Sequence, residues 1–289
     1  MQPVLQRKRG TFPKTVRLAI RNCIDHNIAR RAAALAYYFL FALFPMLIFV
    51  SNLLGVLNLD VHSITEALRR ILPRDVVELI GSYFDHVANN SSQVLLWFSL
   101  VFTVWFPMRA VGGLMDDVRQ AYHLGKPKKL FFYTLRQVLF TLVFLLLIIL
   151  TFLLSMFGRR AISSITSWLG AETINIPAAL LTAWQYIRFI LVAVLMFVVL
   201  GLLYLVAQDK RQSPFLVLPG VLLALTGWLL VSIGFSAYVE NFGNYSVIYG
   251  TLGAVIVLLV WMYMTAFMLI LGAEWNAATL SVRTEQSVA

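Results

Sequence analysis

Charge is scarce in this chain, and acidic charge scarcest of all. Of its 289 residues 12% are charged and only 13 are Asp or Glu, whereas an ordinary soluble domain carries about 25% charged residues. Cysteine occurs once, as Cys23. That excludes an intrachain disulfide and any multi-cysteine metal centre, and its place in a basic segment points to a reducing compartment. Histidine occurs four times, at His26, His62, His86 and His123, with no spacing that makes a ligand set. The G-x-S-x-G elbow, the H-E-x-x-H zinc helix and the phosphate-binding P-loop are all missing. Asp116 and Asp117 are adjacent, so on a helix they point in different directions and do not by themselves make a two-metal site. No catalytic, cofactor-binding or metal residues are assigned, and no cofactor is expected.

What is present is apolar surface. Hydrophobic residues make up 60% of the chain, and mean hydropathy is +0.82. Six long apolar runs can be marked, at about 32–55, 94–115, 137–157, 183–207, 216–238 and 248–273. Runs of roughly 20 residues cross about 30 Å of hydrocarbon, and the backbone satisfies itself there only as helix. The fold class expected is therefore all-α: a polytopic membrane protein of six transmembrane helices plus amphipathic surface helices. Residues 1–31 form a basic amphipathic segment, 32–279 the membrane domain and 280–289 a short tail. The N terminus lacks the form of a cleavable signal peptide.

The formal net charge is +10. In a soluble protein it would suggest nucleic acid; between spans it reads as topology and attraction to anionic lipid, and no nucleic-acid partner is expected. Arg7, Lys8, Arg9, Lys14, Arg17, Arg21, Arg30 and Arg31 precede the first span. Arg119, Lys126, Lys128, Lys129 and Arg136 separate the second from the third, and Lys210 and Arg211 follow the fourth. This excess on one side, with an even span number, places both termini in the cytoplasm. Arg159 and Arg160 oppose the rule. Val16, Ile20, Cys23 and Ile24 recur near helical period, so the N-terminal segment reads as a helix lying on the inner surface. Residues 58–93, broken by Pro73, read as two further surface helices.

Arg109 interrupts the second span and stands out as a charge within an apolar run. It either lines an inner-facing polar cavity, with Asp116 seven positions on and on a similar face, or snorkels to headgroups. Arg188 either reaches outer headgroups or forms an outer gate with Glu240, and Glu274 sits at the inner edge after Gly272. With Tyr249 these make the candidate cavity set: Arg109, Asp116, Arg188, Glu240, Tyr249 and Glu274. Candidate hinges are Pro45, Pro107, Gly112, Gly113, Pro219 and Gly220, with static kinks as the competing reading. Gly220 and Ala224 also form a small-xxx-small pair suited to helix contact.

AAALAYYFLFALFPMLI in the first run, LPGVLLALTGWLLVSIGFSAYVENF in the fifth and YSVIYGTLGAVIVLLVWMYMTAFMLILGAEWNA in the last resemble the bacterial YihY/BrkB family, once labelled ribonuclease BN. The likeness covers roughly 15–279 and includes Tyr37, Pro45, Asp116, Pro219, Gly220, Tyr249, Gly250, Trp261, Gly272, Ala273 and Glu274. It departs after the fourth span, where YLVAQDKRQSP has Tyr204 and a late Pro214 in place of an early proline. The resemblance implies a six-span protein of the bacterial inner membrane. It implies no established activity, and these residues supply ribonuclease chemistry with no catalytic set.

The leading functional expectation is passage or flipping of a small anionic solute or lipid. The alternative is a non-transporting membrane scaffold in envelope assembly, with a membrane-embedded enzyme third. Expected partners are membrane lipids, anionic at the cytoplasmic face, and that cargo. The small-residue faces fit packing within one chain or between copies.

Overall fold

The computed structural model describes residues 11–57, 69, 77–78, 81–82, 93–127, 129–168, 178–208, 214–241 and 251–288. Among these, seven long helices follow one another: α1 Thr11–Asp25, α2 Ile28–Leu57, α3 Gln93–Ala121, α4 Leu130–Trp168, α5 Ala178–Val206, α6 Pro214–Asn241 and α7 Thr251–Val288. The expected surface helices of 58–93 lie largely outside the described residues, as do Tyr249 and Gly250.

Five stretches are long and apolar enough to cross a bilayer: Ile28–Phe49, Trp97–Ala121, Leu130–Thr151, Pro214–Val239 and Gly253–Glu285. The expectation of six is corrected to five of full length among the described residues. The fourth expected span falls on α5, where the apolar stretch Ile190–Val206 is shorter. At 1.5 Å per residue it covers about 26 Å, just under the hydrocarbon thickness. The third expected run ends at about 157, but the helix that carries it does not. With no proline between Leu130 and Trp168, α4 runs on as one helix through Arg159 and Arg160.

Two residues in the left-handed region end helices at the same end of the bundle, Asn27 (φ 51°) after α1 and His123 (φ 52°) after α3. Asn and His tolerate this conformation better than most side chains. Ala207 and Gln208 close α5 beside them, through Ala207 N–H to the Leu203 carbonyl at 2.9 Å. The turn at Asn27 lets α1 fold back along α7, while α2 runs between α3 and α7.

The core is concentrated at this end. Ile28, Ala32 and Leu35 of α2 meet Leu114, Met115 and Val118 of α3 and Ala266, Ile270 and Ala273 of α7. Against these pack Tyr204 of α5 and Val217, Val221 and Ala224 of α6. Small residues bring α6 and α7 into backbone contact. A Cβ on Gly220 would strike the Gly272 carbonyl, and one on Gly272 would strike the Gly220 carbonyl and the Ala224 methyl. Asn276 bridges the seam, accepting from Gly220 N–H at 2.7 Å and donating to the Val217 carbonyl at 2.8 Å. Tyr204 donates its hydroxyl to the Leu269 carbonyl. By contrast α4 exposes Leu139, Leu142, Leu146 and Ile149, a surface suited to lipid chains rather than water.

Candidate functional site

Most of the described ionisable groups of the bundle gather at the end just described. Arg31 Nη1 donates to Asp117 Oδ1 at 2.7 Å, with side chains 21% and 11% exposed. That joins the start of α2 to the last turn of α3. One residue earlier, Asp116 is exposed and accepts from the Tyr133 hydroxyl at 2.7 Å, joining α3 to α4. Adjacent carboxylates thus serve different neighbours, as helical geometry requires. Arg119 is buried and donates to the Ala207 carbonyl at 3.1 Å and the Gly125 carbonyl at 2.5 Å, with its guanidinium over the Tyr133 ring. It ties the ends of α3, α4 and α5 together.

Glu274, on α7, is 1% exposed. Its Oε1 lies 2.6 Å from His26 Nδ1, in the turn after α1, and its Oε2 has no hydrogen-bond partner among the described residues. The His123 ring stands edge-on to His26 at 5.2 Å between centroids. Cys23, one turn back on α1, is half-buried, and burial together with the Glu274 charge pushes its thiol up to about 11. Among the described residues no three His, Cys, Asp or Glu side chains converge as a metal site requires.

Arg109 lies elsewhere. It is exposed on α3, two turns before Asp116, with its guanidinium 5.9 Å from the centre of the Tyr38 ring. No carboxylate among the described residues pairs with it. Aromatic rings continue this α2–α3 face, with Tyr37 on Phe41, Phe41 near Phe106, and Phe102 between Phe98 and Phe106. Of the expected set, then, Asp116 and Glu274 fall at the polar end, on separate partners, and Arg109 about 10 Å away along α3. Arg188 and Glu240 lie in α5 and α6, their side chains outside the described residues, and Tyr249 falls outside them altogether. Sequence reasoning missed His26, Arg31, Asp117 and Arg119 as members. The usable signal was Glu274: a carboxylate in an apolar run needs a cation or proton donor nearby.

The candidate hinges fall on continuous helix. Pro45, Pro107 and Pro219 lie inside α2, α3 and α6. Gly112 faces Gln137, Gly113 faces Leu35, and Gly220 meets Gly272, each so closely that a Cβ would collide. Gly220 therefore lets α6 and α7 approach at backbone distance, while Gly112 and Gly113 meet the movable ends of Gln137 and Leu35.

Comparison with known proteins fits this architecture. Residues 19–288 match the family model described as "Virulence factor BrkB". The chain is 31% identical over 252 residues to the putative ribonuclease-like protein YfkH of Bacillus subtilis, covering 87% of this chain and 90% of that protein. It is 26% identical over 274 residues to a UPF0761 membrane protein of Pseudoalteromonas atlantica, covering 92% and 87% respectively. No solved structure matches. A family model spanning nearly the whole chain, on a helical bundle with long apolar helices, makes this protein a member of the YihY/BrkB (UPF0761) family of membrane proteins.

Proposed function

We propose that this chain is a six-span protein of the bacterial inner membrane that carries a small anionic group, free or as a lipid headgroup, past Arg109. The observation that carries the reading is the unpaired guanidinium. Arg109 sits within the span Trp97–Ala121, exposed, on an aromatic face, and among the described residues it meets the Tyr38 ring and no carboxylate. An arginine at the centre of a lipid-facing helix costs roughly 2.5–3.5 kcal/mol on insertion scales. A mobile anion offsets that cost and accepts the planar donor fork.

The sixth crossing is α5, whose 29 residues reach about 43 Å. An even count puts both termini on one side, and the basic residues gathered at the α1 end favour the cytoplasm. Helix α1 suits that face. Thr15 and Ala19 turn toward the bundle, while Phe12, Ile20 and Ile24 are exposed. Lys14, Arg17 and Arg21 flank that stripe, as expected of a helix resting among anionic headgroups.

The test is reconstitution in vesicles of zwitterionic and anionic phospholipid, with two arms. One follows a headgroup-labelled anionic lipid reached by an impermeant reductant; the other follows efflux of trapped inorganic phosphate. Protein-dependent movement is expected in one arm, falling about tenfold or more in Arg109→Ala, since a charge-assisted hydrogen bond contributes about 1.5–3 kcal/mol. Movement in neither arm, or an undiminished rate in Arg109→Ala, refutes the reading. The close α6–α7 seam favours a second reading, a non-transporting scaffold in envelope assembly. That reading predicts silence in both arms.

A further inference from the structure

Glu274 is a carboxylate buried to 1% exposure, one oxygen held at 2.6 Å by His26 and the other without a partner among the described residues. A buried carboxylate is tolerated only when its charge is balanced and its lone pairs are used. The neighbours on every packed element show how little balance is on offer. Helix α2 brings Arg31, already committed to Asp117 of α3. Helix α1 brings Cys23, whose thiol is held protonated first by burial and then by the Glu274 charge. Tyr204 of α5 donates its hydroxyl to the Leu269 carbonyl. Past α3, the His123 ring stands edge-on to His26 at 5.2 Å between centroids. Among its described residues α6 brings no ionisable group to this end, where Asn276 meets its backbone. With neutral His26 donating from Nδ1, the pair carries a net negative charge and leaves Glu274 Oε2 bare. One more proton on the pair makes it neutral.

We propose that His26 and Glu274 form a proton-binding site that latches α1 onto α7. Uptake of one proton, by the imidazole or by the free carboxylate oxygen, closes the latch. Loss of that proton leaves an uncompensated charge between the helices and releases α1. The location fits such a device. The site lies at the turn on which α1 pivots, beside left-handed Asn27, and α1 otherwise holds α7 by small or edge contacts such as Phe12 on Trp275. Docking is therefore complete at acid pH and lost as pH rises, the sign expected when the docked state binds the extra proton. The inference is independent of Arg109 and of what is transported.

The experiment is electron–electron distance measurement on full-length protein in anionic-lipid nanodiscs. Spin labels are placed at the exposed positions Arg17→Cys on α1 and Arg283→Cys on α7, in a Cys23→Ser background. At about pH 5.5 a single narrow distance is expected, and by about pH 8.5 a second, broader population should hold at least roughly half of the molecules. Glu274→Gln and His26→Gln each remove a titrating member and should abolish the pH response, whereas His123→Gln should keep it. A distribution unchanged between the two pH values overturns the proposal. So does a response that persists in both Glu274→Gln and His26→Gln, or one lost only in His123→Gln.

Discussion

Removing Arg31 should destabilise the bundle far more than removing an ordinary surface arginine, and removing its partner as well should recover much of the loss. The pair meets at 2.7 Å with side chains 21% and 11% exposed, so solvent screens it only partly. Taking away one member of such a pair costs about 3–5 kcal/mol, most of it the penalty on the charge left behind, while replacing both with apolar groups is far milder. The comparison is a cycle of Arg31→Met, Asp117→Leu and the double variant. Each is unfolded by titrating a denaturing detergent into mixed micelles and followed by circular dichroism. Arg31→Met should lose about 3 kcal/mol or more, and the two changes should be coupled by at least about 2 kcal/mol, well beyond the ~0.5 kcal/mol within which independent sites add. Asp117→Asn should fall between, because an amide oxygen still accepts from Nη1. Additive single losses would refute a buried, mutually dependent pair. So would a loss below about 1 kcal/mol for Arg31→Met, the level of an exposed pair.

Two further outcomes follow from local geometry. Gly220→Val drives a side chain into the Gly272 carbonyl and Asn276, where backbone cannot yield, and should lower stability by about 2–4 kcal/mol. Gly234→Ala meets nothing within 4 Å and should be neutral or slightly stabilising in the same unfolding titration; equal losses at the two glycines would contradict the seam. Burial, with the Glu274 charge beside it, raises the thiol of Cys23, the sole cysteine, from an ordinary 9.0 to about 11. At pH 6, where α1 is docked, its thiolate fraction is about a hundred-fold below that of an unperturbed thiol; higher intrinsic nucleophilicity offsets part of this, leaving maleimide labelling roughly 10–15-fold slower. The sign follows from the same shift. The folded state resists ionisation, so this contribution to stability is full below the unfolded value and fades as pH climbs through 9 toward 11. Labelling at the rate of a free thiol would show that α1 is not seated against α7.

The helices were legible because their signal is local. Twenty apolar residues in a row report lipid as solvent whatever the tertiary arrangement, and the centres of α2, α3, α4, α6 and α7 fall where the runs do. Their ends were less legible. Asp116 and Asp117 looked like a terminus, yet α3 continues to Ala121, because Asp117 finds Arg31 and Asp116 finds Tyr133. Helix α1 was legible as amphipathic. Its docking face was not, since Thr15 and Ala19 pack inward by being small, not by being greasy. The pairings at the polar end were hidden by separation: Arg31 and Asp117 are 86 positions apart, His26 and Glu274 248. No periodicity connects such positions. Arg109 was the opposite case, because an unexplained charge in an apolar run is visible without knowing its neighbours.

The measurement closest to the central claim is native mass spectrometry of the protein released from nanodiscs rich in anionic phospholipid, comparing the unsubstituted chain with Arg109→Ala and Arg109→Lys. If Arg109 holds the anionic group, one retained lipid or phosphate mass should be present on the unsubstituted chain. It should fall about tenfold in occupancy in Arg109→Ala, the loss of a single charge-assisted contact, and be partly kept in Arg109→Lys. The same adducts at the same occupancy on all three proteins would contradict the account.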